Sequence, residues 1–196
     1  VMGARRVVLG RDVRPTSDAL AGAVARGLMA AGVEVLDLGL SGTEETYFAT
    51  THLGADGGIC VTASHNPMDY NGMKMAQAGS APIGREDGMD AIKALAESGT
   101  FAAELPGGKV TDASGTRAAY VAKLMEFVDV SALTPLKVLV NAGHGAAGPS
   151  FDALADAMAQ AGAPIEFIRV YHDPDGNFPA GIPNPLLDEN QHLTAD

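Results

Sequence analysis

Apolar and polar positions follow two different spacings along the chain. Short runs rich in Val, Leu and Ile favour strands, and longer segments with apolar residues every three or four positions favour helices. Predicted strands occupy residues 5–10, 33–40, 57–63, 71–77, 136–142 and 164–172. Predicted helices occupy residues 16–32, 41–54, 85–98, 116–128 and 148–162. This strand–helix alternation is typical of βαβ units, so the sequence predicts an α/β fold with a mixed, mostly parallel sheet flanked by helices.

Segment 98–115 separates two predicted domains. It is rich in Gly, Ser and Thr, which predicts a linker with room for one short strand. The first predicted domain covers residues 1–112, and the second, residues 113–196, begins a similar α/β unit. The Pro-rich tail after residue 172 has no apolar pattern with which to pack against the rest. We therefore expect the second domain to be truncated.

Composition and charge narrow the classes of function. The chain has 196 residues, of which 46% are hydrophobic and 19% charged, and its net charge is −11. Such an acidic chain is not expected to bind nucleic acid, because a phosphate backbone needs a basic surface. No apolar run of the sequence is long enough to cross a bilayer, so no membrane partner is expected. The lone Cys60 excludes an internal disulfide, is predicted to be a buried core thiol, and fits a cytoplasmic location.

The most informative polar segment is VTASHNPMDYNGMKM, residues 61–75, between two apolar runs. Ser64 follows a predicted buried strand, and ligands of open α/β sheets bind at the carboxyl ends of strands. With His65, Asn66 and Lys74 it forms a set that suits an anion. The other interpretation, which residue chemistry alone favours, is a polar turn whose Ser and Asn satisfy backbone groups. Acyl transfer is disfavoured, because adjacent Ser and His side chains diverge and no G-x-S-x-G surrounds Ser64.

A second polar segment, GRDVRPTS, follows the first predicted strand. Its Arg11, Asp12 and Arg14 precede a helix with a Thr/Ser cap. These residues either contact a phosphate or form an Asp–Arg network that fixes their own loop. Of the two interpretations, the loop-fixing network is the favoured one.

Two further segments have a chemical and a structural interpretation. Gly143, Gly145 and Gly148 form G-x-G-x-x-G between a strand and a helix, which fits either a dinucleotide site or a tight turn that needs glycine. The turn is favoured. Segment 172–179, HDPDGNFP, is rich in oxygen ligands but lacks the closing Glu of a calcium loop, so it is also predicted to be a turn.

The segment TASHNPMDYNGMK resembles the phosphoserine loop of the α-D-phosphohexomutases, and most closely that of the bacterial phosphomannomutase/phosphoglucomutase group. The resemblance covers almost the whole chain. GRDVRPTS is similar to the family's first-strand loop, GLSGTEETYFAT to its second strand–helix passage, and NAGHGAAGP to the start of its second domain. PDGNFPAGIPNPLL is similar to the segment that leads toward the family's metal loop. The dinucleotide interpretation thereby loses most of its support.

The resemblance implies an enzyme that interconverts the 1-phosphate and 6-phosphate of a hexose, either mannose or glucose. Ser64 would carry a phosphoryl group, and hexose 1,6-bisphosphate would be the intermediate and activator. By the same resemblance Lys74 would lie near the transferring phosphate, His65 and Asn66 would orient the phosphoserine, and Arg11 would contact phosphate. Mg²⁺ would bind one oxygen of the Ser64 phosphate.

Several family segments are absent from these residues. They are the metal loop D-G-D-x-D-R, the sugar-recognition loop, the C-terminal phosphate loop and the Tyr-Asp-Ile-Arg-Gly-type segment before the first strand. We therefore expect an N-terminal portion that is inactive alone and binds Mg²⁺ weakly or not at all. The alternative is a natural short, non-catalytic phosphosugar-binding or scaffold module of the same fold. Sugar preference and oligomeric state stay open.

Overall fold

The computed structural model describes residues 3–182, 184, 186–190 and 192. Strands are β1 (Arg6–Arg11), β2 (Glu34–Leu40), β3 (Gly57–Val61), β4 (Met73–Gln77), β5 (Lys109–Asp112), β6 (Leu136–Asn141) and β7 (Ile165–Val170). The α-helices are α1 (Ser17–Ala30), α2 (Thr43–His52), α3 (Asp90–Ser98), α4 (Thr116–Met125) and α5 (Ala147–Gln160). Short helical turns lie at Ala78–Ser80, Arg85–Met89, Val130–Ala132 and Asp188–Asn190. Within the described ranges, every helix is too short or too polar to cross a lipid bilayer.

The first sheet has the strand order β4-β3-β1-β2-β5. Its β1, β2, β3 and β5 run parallel, and β4 pairs antiparallel with β3. A second, two-stranded parallel sheet joins β6 and β7. The predicted α/β fold with a mixed, mostly parallel sheet is therefore confirmed. The predicted linker does hold a strand, since β5 extends the first sheet along β2.

The side chains of the central strand β1 point alternately to the two faces of the first sheet. Val8 packs with Leu36 and with Ala49 of α2, whereas Leu9 packs with Val35 and with the α1 face. Burying one such side chain contributes about 1.5–3 kcal/mol. One helix thus covers each face, and the carboxyl ends of β1 and β3 meet at one edge of the sheet, where the polar loops begin.

The C-terminal elements contact the first sheet's helices through a buried carboxylate. Glu45 of α2 is only 3% exposed. It accepts a hydrogen bond from Arg117 Nε of α4 at 3.0 Å and another from Ser150 Oγ of α5 at 2.9 Å. A buried charge needs such partners, and these fix α4 and α5 against α2. The start of α5 consequently lies beside the polar edge of the first sheet.

Candidate active site

Ser64 lies in the connection between β3 and β4, residues 62–72, which we call the serine loop. The residue is exposed, and its φ of 56° lies in the left-handed region. A non-glycine residue there costs about 1–3 kcal/mol and persists only where the surrounding structure holds it. The Ser64 N–H donates to Thr62 Oγ1 at 3.0 Å. The loop therefore presents a serine hydroxyl at the sheet edge on a constrained backbone.

A cleft of about 190 Å³ opens beside Ser64. It lies where the loop after β1 meets the N-terminal ends of α2 and α5. Free N–H groups at the start of a helix favour anions, and two helices start here. Residues that line the cleft include Asp12, Gly42, Thr43, Ser64, Ala146 and Ala147. The arrangement suits a hydroxyl that carries, or reacts with, an anionic group.

Arg14 lies beneath the serine loop with its side chain fully buried. Its guanidinium donates to the carbonyl oxygens of Ser64 at 2.8 Å and Asn66 at 2.7 Å. It also donates to the carbonyl oxygens of Pro67 and, at 3.1 Å, Tyr70. One side chain from the β1–α1 connection thus holds four carbonyl groups of the loop.

Asp12 holds Arg14 in turn. Its Oδ2 accepts from Arg14 Nε at 3.1 Å, and its Oδ1 accepts from the Arg14 backbone N–H and from Ser17 Oγ. Asn71 Nδ2, at the far end of the serine loop, donates to Ser17 Oγ at 2.9 Å. The predicted Asp–Arg network is therefore present in Asp12 and Arg14, and it fixes the serine loop as well as its own.

Lys74 is the Cα partner of Cys60 across β3 and β4. Paired residues of antiparallel strands project to the same face, and Cys60 lines the cleft, so Lys74 projects on the cleft side of the sheet. His65 lies next to Ser64 and is exposed. In the part of the chain that the structure describes, neither Lys74 nor His65 forms an ion pair or a side-chain hydrogen bond. Asn66 contacts Arg14 through its backbone carbonyl.

Arg11 lies on the other face of β1, towards α1. Its guanidinium pairs with Asp18 and, at 2.8 Å, with Asp37. Partial burial opposes the charged form, but the hydrogen bonds and charges of the two carboxylates outweigh it and raise the pKa of Arg11. Its described side-chain hydrogen bonds end at these two aspartates, away from the serine loop. A phosphate-orienting role for Arg11 stays a prediction, and Arg14 is the arginine that reaches the loop.

Cys60 is completely buried in β3. Burial raises the pKa of its thiol, so the reactive thiolate is disfavoured at neutral pH. The predicted burial of Cys60 in a core strand is confirmed. Cys60 packs behind the cleft.

The glycines of G-x-G-x-x-G meet the geometric needs of a tight turn. Gly143 has a φ of 55°, and its N–H donates to Asn141 Oδ1 at 2.9 Å. A Cβ on Gly148 would lie 2.0 Å from the carbonyl oxygen of His172, so only glycine lets α5 approach the end of β7 this closely. These observations confirm the turn and account for two of the three glycines without a dinucleotide.

Segment 172–179 also forms the predicted turn. Asp175 Oδ1 accepts from the Asn177 N–H at 2.9 Å and from Asn177 Nδ2 at 3.0 Å. Phe178 follows with 7% exposure, and its ring centroid lies 5.5 Å from Arg14 Cζ. Sequence reasoning missed Phe178 as a site residue, because an aromatic after Asp-Gly-Asn carries no signal beyond the turn itself.

Comparison with known proteins identifies the family of the chain. Residues 2–103 match the family model "Phosphoglucomutase/phosphomannomutase, alpha/beta/alpha domain I", and residues 118–196 match the corresponding domain II. The chain is 54% identical over 192 residues to a phosphomannomutase of Salmonella montevideo, covering 94% of this chain and 41% of the relative. A phosphomannomutase of Vibrio cholerae is 49% identical, with 98% and 41% covered.

Solved structures agree as well. The crystal structure of a phosphoglucomutase/phosphomannomutase family protein from Burkholderia thailandensis matches with a TM-score of 0.78 and 34% identity, covering 97% of this chain and 41% of that one. The fold and the serine-bearing edge thus define a chain of the phosphohexomutase class. The chain belongs to the phosphoglucomutase/phosphomannomutase family, and it spans about two fifths of the length of the curated relatives it matches.

Proposed function

We propose that this chain is the phosphoserine-bearing portion of a phosphomannomutase or phosphoglucomutase. The proposal rests on the surroundings of Ser64. Its exposed hydroxyl lies on a constrained backbone, beside a cleft at which two helices begin. The names of the relatives and the family of the chain support the same reaction class. The substrate class is a hexose monophosphate, of mannose or of glucose.

In the proposed reaction, phospho-Ser64 donates its phosphoryl group to the free C1 or C6 hydroxyl of the sugar. The bond between phosphorus and Ser64 Oγ breaks, and a bond between phosphorus and the sugar oxygen forms. Ser64 Oγ keeps the bonding electron pair, and the proton of the sugar hydroxyl is transferred to it. The product is hexose 1,6-bisphosphate, and the same step in reverse, from the other phosphate, restores phospho-Ser64 and releases the isomer.

Such a transfer needs in-line geometry and stabilisation of the charge on the phosphoryl oxygens. The N-terminal ends of α2 and α5 supply partial positive charge at the cleft. Lys74, on the cleft side of the sheet, supplies a full charge near the transferring group. His65 and Asn66 follow the serine and orient its phosphate.

The family implies Mg²⁺, but the residues with described positions do not form a complete site for it. They contain no group of three or more His, Cys, Asp or Glu side chains able to hold a metal ion. Asp12, a carboxylate that lines the cleft, is already bound to Arg14 and Ser17. The Ser64 phosphate would contribute an oxygen ligand, but the described carboxylates do not complete a site around it. We therefore expect the chain alone to bind Mg²⁺ weakly or not at all and to lack mutase turnover.

The proposal is tested on the complete gene product that contains this chain. After incubation with glucose 1,6-bisphosphate, peptide mass mapping across residues 61–75 should find one phosphate, on Ser64. The matched variant Ser64→Ala should lack that phosphate and lose mutase turnover with both mannose 1-phosphate and glucose 1-phosphate. Turnover by Ser64→Ala at the wild-type rate would contradict the proposal.

A further inference from the structure

We propose that Arg14 is the positioning residue for phosphoryl transfer at Ser64. Its guanidinium fixes the backbone of the serine loop, so that Ser64 Oγ and the phosphorus align with the incoming hydroxyl, and it does this without touching the phosphate. The inference rests on the proposed role of Ser64. It is carried by the juxtaposition of a fully buried arginine and a serine in a left-handed backbone conformation.

The hydrogen bonds of Arg14 account for its whole donor capacity. A guanidinium has five N–H groups. Nε donates once, and Nη1 and Nη2 donate twice each, so the five bonds saturate the group. The acceptors are Asp12 Oδ2 and the carbonyl oxygens of Ser64, Asn66, Pro67 and Tyr70. Because no N–H group is left over, Arg14 acts on the reaction through the loop and not as a phosphate ligand.

The four carbonyl groups span the reactive part of the loop. One of them belongs to Ser64, whose N–H is also bound, to Thr62 Oγ1. The peptide groups on both sides of the serine are therefore held, which explains how a φ of 56° persists at a non-glycine residue. Because the orientation of the Cα–Cβ bond follows from this backbone, Arg14 determines where Oγ can lie.

A lysine cannot reproduce this contact. Its ammonium has three donors on a flexible stem, whereas the planar guanidinium presents five in a fixed fork. At least two of the five acceptors would lose their bond in Arg14→Lys, although the charge opposite Asp12 would remain. The substitution therefore separates geometry from charge.

Phe178 closes the site from the C-terminal side. Its ring centroid lies 5.5 Å from Arg14 Cζ, and the side chain is buried. The aromatic face limits access of water to the guanidinium, and hydrogen bonds in such a low-dielectric environment are stronger than in water. The loop that carries Phe178 thus reinforces a contact made between two segments of the first domain.

The test uses the complete gene product that contains this chain, with mannose 1-phosphate and glucose 1-phosphate as substrates. A misplacement of about 1 Å costs on the order of 100-fold in rate, so kcat of Arg14→Lys should fall by that order. The dissociation constant of each sugar phosphate should stay within about twofold, since Arg14 does not contact substrate. Arg6→Lys is the matched control, because Arg6 also bonds a carbonyl and a carboxylate but lies at the other end of β1. It should keep the wild-type kcat.

A wild-type kcat in Arg14→Lys would overturn the inference, as would a loss of sugar-phosphate affinity as large as the loss of kcat. If circular dichroism shows that Arg14→Lys fails to fold, Asp12→Asn is used to test the positioning role in its place. An amide presents one oxygen acceptor where the carboxylate presents two, so this variant weakens the pair that holds the guanidinium in place beneath the loop. The kcat should then fall with unchanged affinity, and an unchanged kcat would overturn the inference. Ser64→Ala separates the two proposals. If it retains turnover, the proposed function fails; if it is inactive while Arg14→Lys is fully active, only the positioning role fails.

Discussion

The serine loop and the turn of residues 142–146, here called the glycine turn, differ in what holds them. Each contains a non-glycine residue in the left-handed region, Ser64 with φ 56° and His144 with φ 57°. In the glycine turn, the His144 N–H donates to the carbonyl oxygen of Tyr171 at 2.7 Å, and the Gly145 N–H donates to that of Ala142 at 2.9 Å. These are backbone bonds to the same turn and to the end of the adjacent strand.

The serine loop also has backbone bonds of its own, from the Asn66 N–H to the Ala63 carbonyl oxygen at 3.1 Å and from the Tyr70 N–H to that of Pro67 at 3.0 Å. It is held in addition by a side chain that is distant in the sequence. Arg14 is 50 positions from Ser64 and bonds four carbonyl groups of the loop. The conformation of the serine loop therefore depends on the packing of the first domain. A loop held in this way has one defined geometry, as a reacting group requires, and a single substitution can disturb it. The glycine turn should be affected by steric changes rather than by loss of charge.

The largest effect on stability is expected from Arg14→Met. Removing the guanidinium leaves the mostly buried Asp12 carboxylate and several carbonyl groups without their partner. Breaking a buried pair in this way costs about 3–5 kcal/mol. Urea denaturation followed by circular dichroism measures it. Arg6→Met, at a more exposed ion pair, should lower the free energy of unfolding by less than about 1 kcal/mol. Equal losses of stability in the two variants would contradict the special role of the buried Arg14.

A steric change in the helix after the glycine turn should have a smaller effect. In Gly148→Ala the new Cβ would lie 2.0 Å from the His172 carbonyl oxygen, and relief requires a shift of α5 or β7. We expect a loss of about 1–3 kcal/mol in the free energy of unfolding. Gly27→Ala is the control, because Gly27 lies within α1 with no atom near its Cβ position. The free energy of unfolding of that variant should rise by about 0.5–1 kcal/mol, because Ala has a higher helix propensity than Gly.

The smallest effect is expected from Asp152 of α5, near the glycine turn. The hydrogen bond from Arg169, and next to it the contact with His172, lower the pKa of this carboxyl. A lowered folded-state pKa stabilises the fold above the unfolded value of about 3.9, and this contribution is lost as the pH falls through the folded value. Wild type should therefore exceed Asp152→Asn in urea midpoint at pH 7, and the difference should shrink at pH 3. If the difference in urea midpoint grew on acidification, the pKa of Asp152 would be raised in the fold rather than lowered, which would contradict this prediction.

The alternation of strands and helices was predictable because the apolar spacing is strong in both halves of the chain. β5 (Lys109–Asp112) was not assigned its place in the sheet, since four residues with polar neighbours carry little periodicity. It lies beside β2 because the edge of β2 is open to it. Such long-range pairing is not encoded in the spacing of one short segment.

The position of the serine loop was predictable from the sequence, but the contacts that support the loop were not. The residues of the serine loop were enough to single it out in the sequence. Which of Arg11 and Arg14 contacts that loop became clear only from the fold. Alternation along β1 places Arg11 on the same face as Leu9, but only the structure shows that this face packs against α1. Nothing comparable marks Phe178, which reaches Arg14 only through the path of the C-terminal segment.

The most direct test of the central claim, that Ser64 carries the transferred phosphoryl group, is a pulse-chase measurement on the complete gene product. The protein is loaded with radioactive phosphate from labelled glucose 1,6-bisphosphate, freed of excess label, and mixed with unlabelled glucose 1-phosphate in a quenched-flow instrument. We predict that label leaves the peptide of residues 61–75 at least as fast as steady-state turnover and is recovered in the sugar phosphates. Label that stays on that peptide, or leaves more slowly than turnover, would contradict the account.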